Sequence, residues 1–116
     1  MALADHADED FCYLTTTGRR SGNPHEIEIW FGLANGRLYL MAGDPDSDWV
    51  KNVRAEPRVH VRIADEDHGA RGRVVEDADE DAMVRRLLAA KYQGWREGKR
   101  LSSWARSAQP VAIEFS

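Results

Sequence analysis

Apolar and polar residues alternate with a period of two along much of the chain, and that pattern predicts strands. The run Phe-Cys-Tyr-Leu-Thr-Thr-Thr from Phe11 is aromatic and β-branched, as strands favour. It stops at Gly18-Arg19-Arg20-Ser21-Gly22-Asn23-Pro24, where glycine and proline mark a loop. His25 to Leu33 alternates next, with Ile27, Ile29 and Phe31 on one face and Glu26, Glu28 and Trp30 on the other. Asn35-Gly36 joins this strand to a partner over Arg37–Ala42, because these two residues accept the positive φ of a tight hairpin turn. Arg58 to Ala64 alternates with Val59, Val61 and Ile63 on one side. After a charged turn at Asp65-Glu66-Asp67, His68 to Glu76 reads as a weaker strand, and Pro110 to Phe115 as the last.

Two segments follow a helical period instead. Asp46 or Ser47 can cap a short helix with Trp49, Val50 and Val53 on one side, ending before Pro57. Asp77 and Asp79 open a long helix whose stripe is Met83, Val84, Leu87, Leu88 and Tyr92, and Gly94 and Gly98 weaken its end. Ser102-Ser103-Trp104 starts a further short turn. The order β-β-β-α-β-β-α-β, mainly β with two or three helices, predicts a small antiparallel barrel and not a doubly wound sheet. Residues 1–10 are acidic and poor in apolar groups, so a mobile, unpacked lead-in is expected before a single domain over 11–116.

Composition narrows the possibilities. At 116 residues, with 42% hydrophobic and 31% charged side chains, the chain suits one soluble domain. A net charge of −4 argues against nucleic acid as a partner. The charge is uneven: residues 82–109 hold seven basic side chains and one acidic one. That basic stretch fits a small anionic ligand or a solvated helix face. The single cysteine, Cys12, excludes an internal disulfide and any multi-cysteine metal site. The acidic start lacks a signal-peptide layout and no apolar run is long enough to span a bilayer, so a cytoplasmic protein without an integral membrane segment is expected.

No nucleophile elbow, phosphate-binding P-loop or dinucleotide fingerprint is present. Cys12, inside a strand, reads as a small buried hydrophobe. His25, Glu26 and Glu28 do not make a metal site, since alternation places the imidazole on the face opposite both carboxylates. Glu26, Glu28 and Trp30 together suit a solvated surface, a dimer contact or a pocket floor. The loop Thr17-Gly18-Arg19-Arg20-Ser21-Gly22 offers two guanidinium groups, hydroxyls and backbone amides, a set that can hold a phosphate but also suits a solvated turn. Four tryptophans, at 30, 49, 95 and 104, fit either stacking on a flat ring system or packing at a rim or interface.

Leu14-Thr15-Thr16-Thr17-Gly18-Arg19-Arg20-Ser21-Gly22-Asn23-Pro24 resembles the Thr-Thr-x-Gly-Arg-Lys/Arg-Ser-Gly-x-Pro opening of the deazaflavin (F420)-dependent nitroreductase and quinone reductase family. Asp48-Trp49-Val50-Lys51-Asn52-Val53-Arg54-Ala55-Glu56-Pro57-Arg58-Val59 is similar to that family's Trp-x-x-Asn-Leu-x-Ala-Asn-Pro-x-Val segment. The resemblance covers roughly residues 11–116. It implies a split β-barrel like that of FMN-binding and pyridoxamine-phosphate oxidases, with coenzyme F420 as cofactor. By the same resemblance Thr17, Gly18, Arg19, Arg20, Ser21 and Gly22 would meet the cofactor phosphate. Met41, Ala42 and Gly43 would lie along its ring, and Trp49 and Asn52 would close the pocket. Tyr92 on the long helix would stand near the acceptor, whose reduced anion either Tyr92 or solvent would protonate. The chain departs from the family at Gly43-Asp44-Pro45-Asp46, where relatives carry Ser-Lys-Gly-Gly, and at Trp95, where a second tyrosine is usual.

The implied activity is transfer of a hydride from reduced F420 to a small electron-poor acceptor such as a quinone, enone or nitroaromatic. Two alternatives accompany it: FMN in place of F420, and a non-catalytic binding module. Open strand edges make a homodimer a further expectation.

Overall fold

The computed structural model describes residues 3–115. Seven strands form one antiparallel sheet: β1 (Cys12–Thr17), β2 (Pro24–Ile29), β3 (Gly32–Ala34), β4 (Arg37–Ala42), β5 (Arg58–Ile63), β6 (Glu66–Val74) and β7 (Gln109–Phe115). Three helices accompany them: α1 (Asp48–Ala55), α2 (Ala78–Gln93) and α3 (Ser103–Ser107). The strand order is β2-β1-β5-β6-β7-β4-β3.

That order forces the sheet to curl. β2 and β3 are the two outermost strands, yet only Trp30 and Phe31 separate them in the chain. Three residue steps reach about 10 Å, whereas the edges of a flat seven-stranded sheet would lie roughly 29 Å apart. The sheet therefore closes on itself into a split barrel, and the split runs past Trp30–Phe31.

Here the structure corrects the reading of His25–Leu33 as one strand. Ile29 pairs with Cys12 of β1, while Gly32 pairs with Tyr39 of β4. Alternation continues through the break, so hydrophobic pattern alone does not reveal it. The hairpin at Asn35-Gly36 forms as expected, with φ of 55° and 73°. A second tight turn lies at Ala64-Asp65, both with positive φ, so β6 begins at Glu66, two residues earlier than its sequence pattern indicates.

The core has two layers. Inside the barrel lie Leu14, Phe31, Leu38, Leu40, Val61 and Ile113 with their neighbours, and α1 plugs one end with Val50 and Val53. Outside it, Tyr39, Met41 and Ala112 meet Val84, Leu88 and Ala89 of α2 and Ala105 of α3. This two-sided covering explains why every residue from Leu38 to Ala42 is buried. Asp77 caps α2 by accepting a hydrogen bond from the Glu80 amide, and Gly94 ends it in the left-handed conformation at φ 67°. Ser47 stands at the cap position of α1 but makes no side-chain cap bond.

The segment before β1 departs from an unpacked lead-in. Leu3–His6 form one turn of 3-10 helix, Leu3 packs against the barrel core, and His6 Nε2 lies 2.8 Å from Glu66 Oε2. Cys12 is fully buried, and burial pushes its thiol up to about 12, in keeping with an inert hydrophobe.

Candidate functional site

The turn after β1 is built around Asn52. The residue is 4% exposed, and its Oδ1 accepts from the Arg19 backbone amide at 3.2 Å and from Arg19 Nη1 at 2.9 Å. Its Nδ2 donates to Thr16 Oγ1 at 3.4 Å. Asp48, at the start of α1, takes Arg19 Nη2 at 3.3 Å. Short helix and loop are thereby locked together. The loop closes internally as well: the Gly18 amide donates to Asn23 O and the Gly22 amide to Gly18 O, both at 2.8 Å. Gly22, at φ 76°, supplies the left-handed residue that this turn requires.

These contacts leave a polar groove of about 650 Å³ at the barrel mouth, lined by Gly18, Arg19, Arg20, Ser21, Trp49 and Asn52 together with Thr16, Pro24, His25, Glu26, Ile27 and Asp48. Six residues expected to bind cofactor are thus gathered in one place. Arg20 is exposed, and among the described residues neither its guanidinium nor the amides of Arg20 and Ser21 have a hydrogen-bond partner. One free guanidinium, two adjacent free amides and a serine hydroxyl form an anion cradle.

Other expected site residues lie elsewhere. Alternation in β1 sends Thr17 to the opposite face from Thr16, into a larger groove of about 960 Å³ with Thr15, Arg58, His60 and Arg71. Gly22 shapes the loop without lining the groove. Ala42 is buried in the barrel interior. Asn52 is the floor that fixes Arg19 and not a lid.

Met41 belongs to a second recess of about 390 Å³, walled by Trp30 and Trp104 and rimmed by Phe11, Glu28, Ile29 and Gln93. Gly43 lies beside it, since a Cβ there would come 3.5 Å from Trp104 Nε1. Groove and recess follow one another along β2, the first reaching Ile27 and the second starting at Glu28. Trp104 stands edge-on to Trp30 at 5.4 Å and 84°. Trp49 lines the groove, and Trp95 packs outside the barrel with its Nε1 donating to Lys99 O. The tryptophans thus divide between site and scaffold.

Tyr92 does not face either cavity with its hydroxyl. That oxygen accepts from the Phe31 amide at 3.0 Å and lies within reach of the carbonyls of Asp10 and Phe31, at 2.9 and 3.0 Å. Its ring stacks on Trp30 with centroids 4.3 Å apart and planes 2° from parallel. Burial also pushes its pKa up. The basic stretch of α2 is dispersed too: Arg85 pairs with Asp81, and Lys91 sits over the Phe31 ring at 3.7 Å, its pKa pulled down by burial. Glu28 accepts the Tyr13 hydroxyl at 2.8 Å, and Glu26 lies 3.6 Å from Arg62. No cluster of three metal-ligating side chains occurs among the described residues.

Sequence spacing offers no cofactor-binding role for Thr16, Pro24, His25, Ile27 and Asp48, which the fold brings into the groove. The available signal was His25, a polar residue on the core face of an alternating strand; for the aromatic recess, the pairing of Trp30 with Trp104 has no counterpart in sequence spacing.

The molecule is thus a split barrel with free hydrogen-bond donors at its mouth and an aromatic recess walled by Trp30 and Trp104. Comparison with known proteins places it further. The chain is similar to a solved F420-H2-dependent reductase, with 26% identity over 91% of this chain and 94% of that one and a TM-score of 0.67. It is similar to a structure described as a domain-swapped dimer, with 28% identity over 92% and 81% of the two chains and a TM-score of 0.68. A Listeria innocua protein described as a candidate pyridoxamine 5′-phosphate oxidase shares the fold, at 18% identity over 98% and 90% and a TM-score of 0.74. The model of the F420H(2)-dependent quinone reductase family matches residues 5–110, and the chain belongs to that family. It is an oxidoreductase, and its cofactor is coenzyme F420. The residues present fit this cofactor: the cradle suits its phosphate, and the groove carries an indole, Trp49, for stacking.

Proposed function

We propose that this protein reduces a small, flat, electron-poor acceptor, a quinone first among enones and nitroaromatics, using F420 held by the groove at the barrel mouth. The observation that carries the reading is the convergence of Gly18, Arg19, Arg20, Ser21, Trp49 and Asn52 in one groove, in a chain of the quinone reductase family. When bound, F420 supplies the hydride. The chain's own residues bind and orient. Arg20, Ser21 and the two free amides hold the phosphate, Asn52 and Asp48 keep Arg19 in place beside it, and Trp49 shields the ring from water. Trp30, Trp104 and Met41 offer a flat acceptor an apolar wall and an aromatic edge in the recess that starts at Glu28 of β2. The recess opens to solvent at Phe11, which is 44% exposed, so water protonates the reduced acceptor. Tyr92 acts as a support for Trp30 and has no free proton to give.

A homodimer is part of the proposal, supported by the relative described as a domain-swapped dimer. A cytoplasmic setting agrees with a single, buried, free thiol.

The test is a titration of the purified protein with F420 and with FMN, followed by oxidation of reduced F420 by a simple benzoquinone, a cyclic enone and a nitroaromatic. Binding of F420 in preference to FMN and turnover with the quinone are expected. Preference for FMN, or no oxidation with any acceptor, overturns the proposal.

A further inference from the structure

His25 stands on the face of β2 that alternation assigns to the core, yet it is exposed. It pairs with Thr16 across β1 and shares its face with Ile27, which packs against the barrel interior. The barrel opens at this level, and the imidazole enters the anion loop. A Cβ on Gly18 would lie 2.7 Å from His25 Nε2 and 2.7 Å from Ser21 Oγ. The ring therefore rests over the Gly18 backbone beside the serine hydroxyl, in space that a side chain at position 18 would occupy. It lines the same groove as Arg19 and Arg20. The histidine ion pairs among the described residues involve His6 and His68, so His25 is uncommitted.

We infer that His25 is a proton-linked cation of this cradle, adding an imidazolium to the two arginines when a phosphate-bearing ligand binds. The inference rests on the reading of the groove as the cofactor's phosphate site. The charged groups lining the groove with His25 are Arg19 and Arg20 from the loop, Glu26 from β2 and Asp48 from α1. Arg19 is occupied by Asn52 and Asp48, and Glu26 lies near Arg62. Arg20 is left as the unopposed charge. An anion held in the groove attracts an imidazolium there, so proton and ligand bind together. An imidazole makes this linkage act near neutral pH, where no other side chain type in the groove ordinarily titrates.

The experiment is the dissociation constant of F420 at pH 6 and pH 8 for the natural protein, His25→Gln and His25→Arg. The ligand's own titration is common to all three and cancels in the comparison. The natural protein should lose up to about tenfold more affinity between pH 6 and 8 than His25→Gln, and His25→Arg should hold its affinity at pH 8. Equal pH ratios for the natural protein and His25→Gln, with F420 still bound, overturn the inference and leave the cofactor reading intact. If the natural protein binds no F420 at either pH, the cofactor reading falls. The His25 ring protons, followed by NMR against pH with and without inorganic phosphate, then decide. A midpoint raised by phosphate supports the inference, and an unmoved one ends it.

Discussion

The Tyr92 hydroxyl holds both backbone groups of Phe31, accepting from its amide at 3.0 Å and lying 3.0 Å from its carbonyl. Phe31 sits at the step where the chain crosses from one edge of the sheet to the other, so neither neighbouring strand can satisfy these groups. A tyrosine hydroxyl has one proton, which the carbonyls of Phe31 and Asp10 share between them. The long helix thereby pins the split of the barrel with one side chain.

Tyr92→Phe removes this pin and keeps the ring stacked on Trp30. It should cost about 1–3 kcal/mol of unfolding free energy, because the Phe31 amide loses its partner in a partly buried place. The shape of the pH–rate profile should not change. Urea unfolding measures the first and steady-state kinetics the second; loss of one limb of the profile would restore Tyr92 as a proton donor.

Asn52→Leu keeps the size of the side chain and strips Arg19 of its acceptor. We expect a loss of about 1–3 kcal/mol in stability, together with weaker F420 binding as the loop loosens. Asn52→Asp still accepts both Arg19 bonds and should recover most of each. Paired unfolding and binding titrations check this, and F420 affinity unchanged in Asn52→Leu would refute a positioning role.

Trp104→Ala opens one wall of the aromatic recess and touches nothing in the groove. Loss of an edge contact worth about 0.5–1.5 kcal/mol should raise KM for a flat quinone several-fold. F420 affinity should stay within about twofold of the natural protein. A KM that does not move would place the acceptor elsewhere.

Glu80 accepts from Nη1 and Nη2 of Arg73, at 2.8 and 2.9 Å, and from the Tyr39 hydroxyl at 2.7 Å. Hydrogen bonds from Arg73 hold its carboxyl down at about 2, against an ordinary 4.5. Because the folded value is depressed, the stabilisation is complete above pH 4.5 and is lost as pH falls towards 2. With Glu80 partly exposed, the difference amounts to about 1–2 kcal/mol. The stability gap between the natural protein and Glu80→Gln should therefore be present at pH 5 and narrow towards pH 2, as followed by urea unfolding.

Much of the frame was legible because strand alternation and turn chemistry are local. Asn35-Gly36, the stripe through Val84 and Leu88, and the Asp77 cap each announce themselves within a few residues. The Arg19–Arg20 loop was legible as a candidate anion site, alongside a solvated turn, for the same reason. The turn at Ala64-Asp65 was legible only from Asp65 onward, since alanine, unlike aspartate, rarely carries positive φ. The break at Trp30–Phe31 was not legible, because polar and apolar residues keep alternating there while the pairing partner changes from β1 to β4.

Composition and spacing along the chain thus settled most of the elements and offered the Arg19–Arg20 loop as a candidate anion site, because these depend on neighbours in sequence. Closure of the sheet settled the rest. It set Asn52 under Arg19, His25 over Gly18 and Trp104 against Trp30, and it committed the Tyr92 hydroxyl to the backbone. These contacts join residues 7 to 82 positions apart; the shortest follows from the β1–β2 pairing, and the long ones form only when hydrophobic burial folds the sheet on itself.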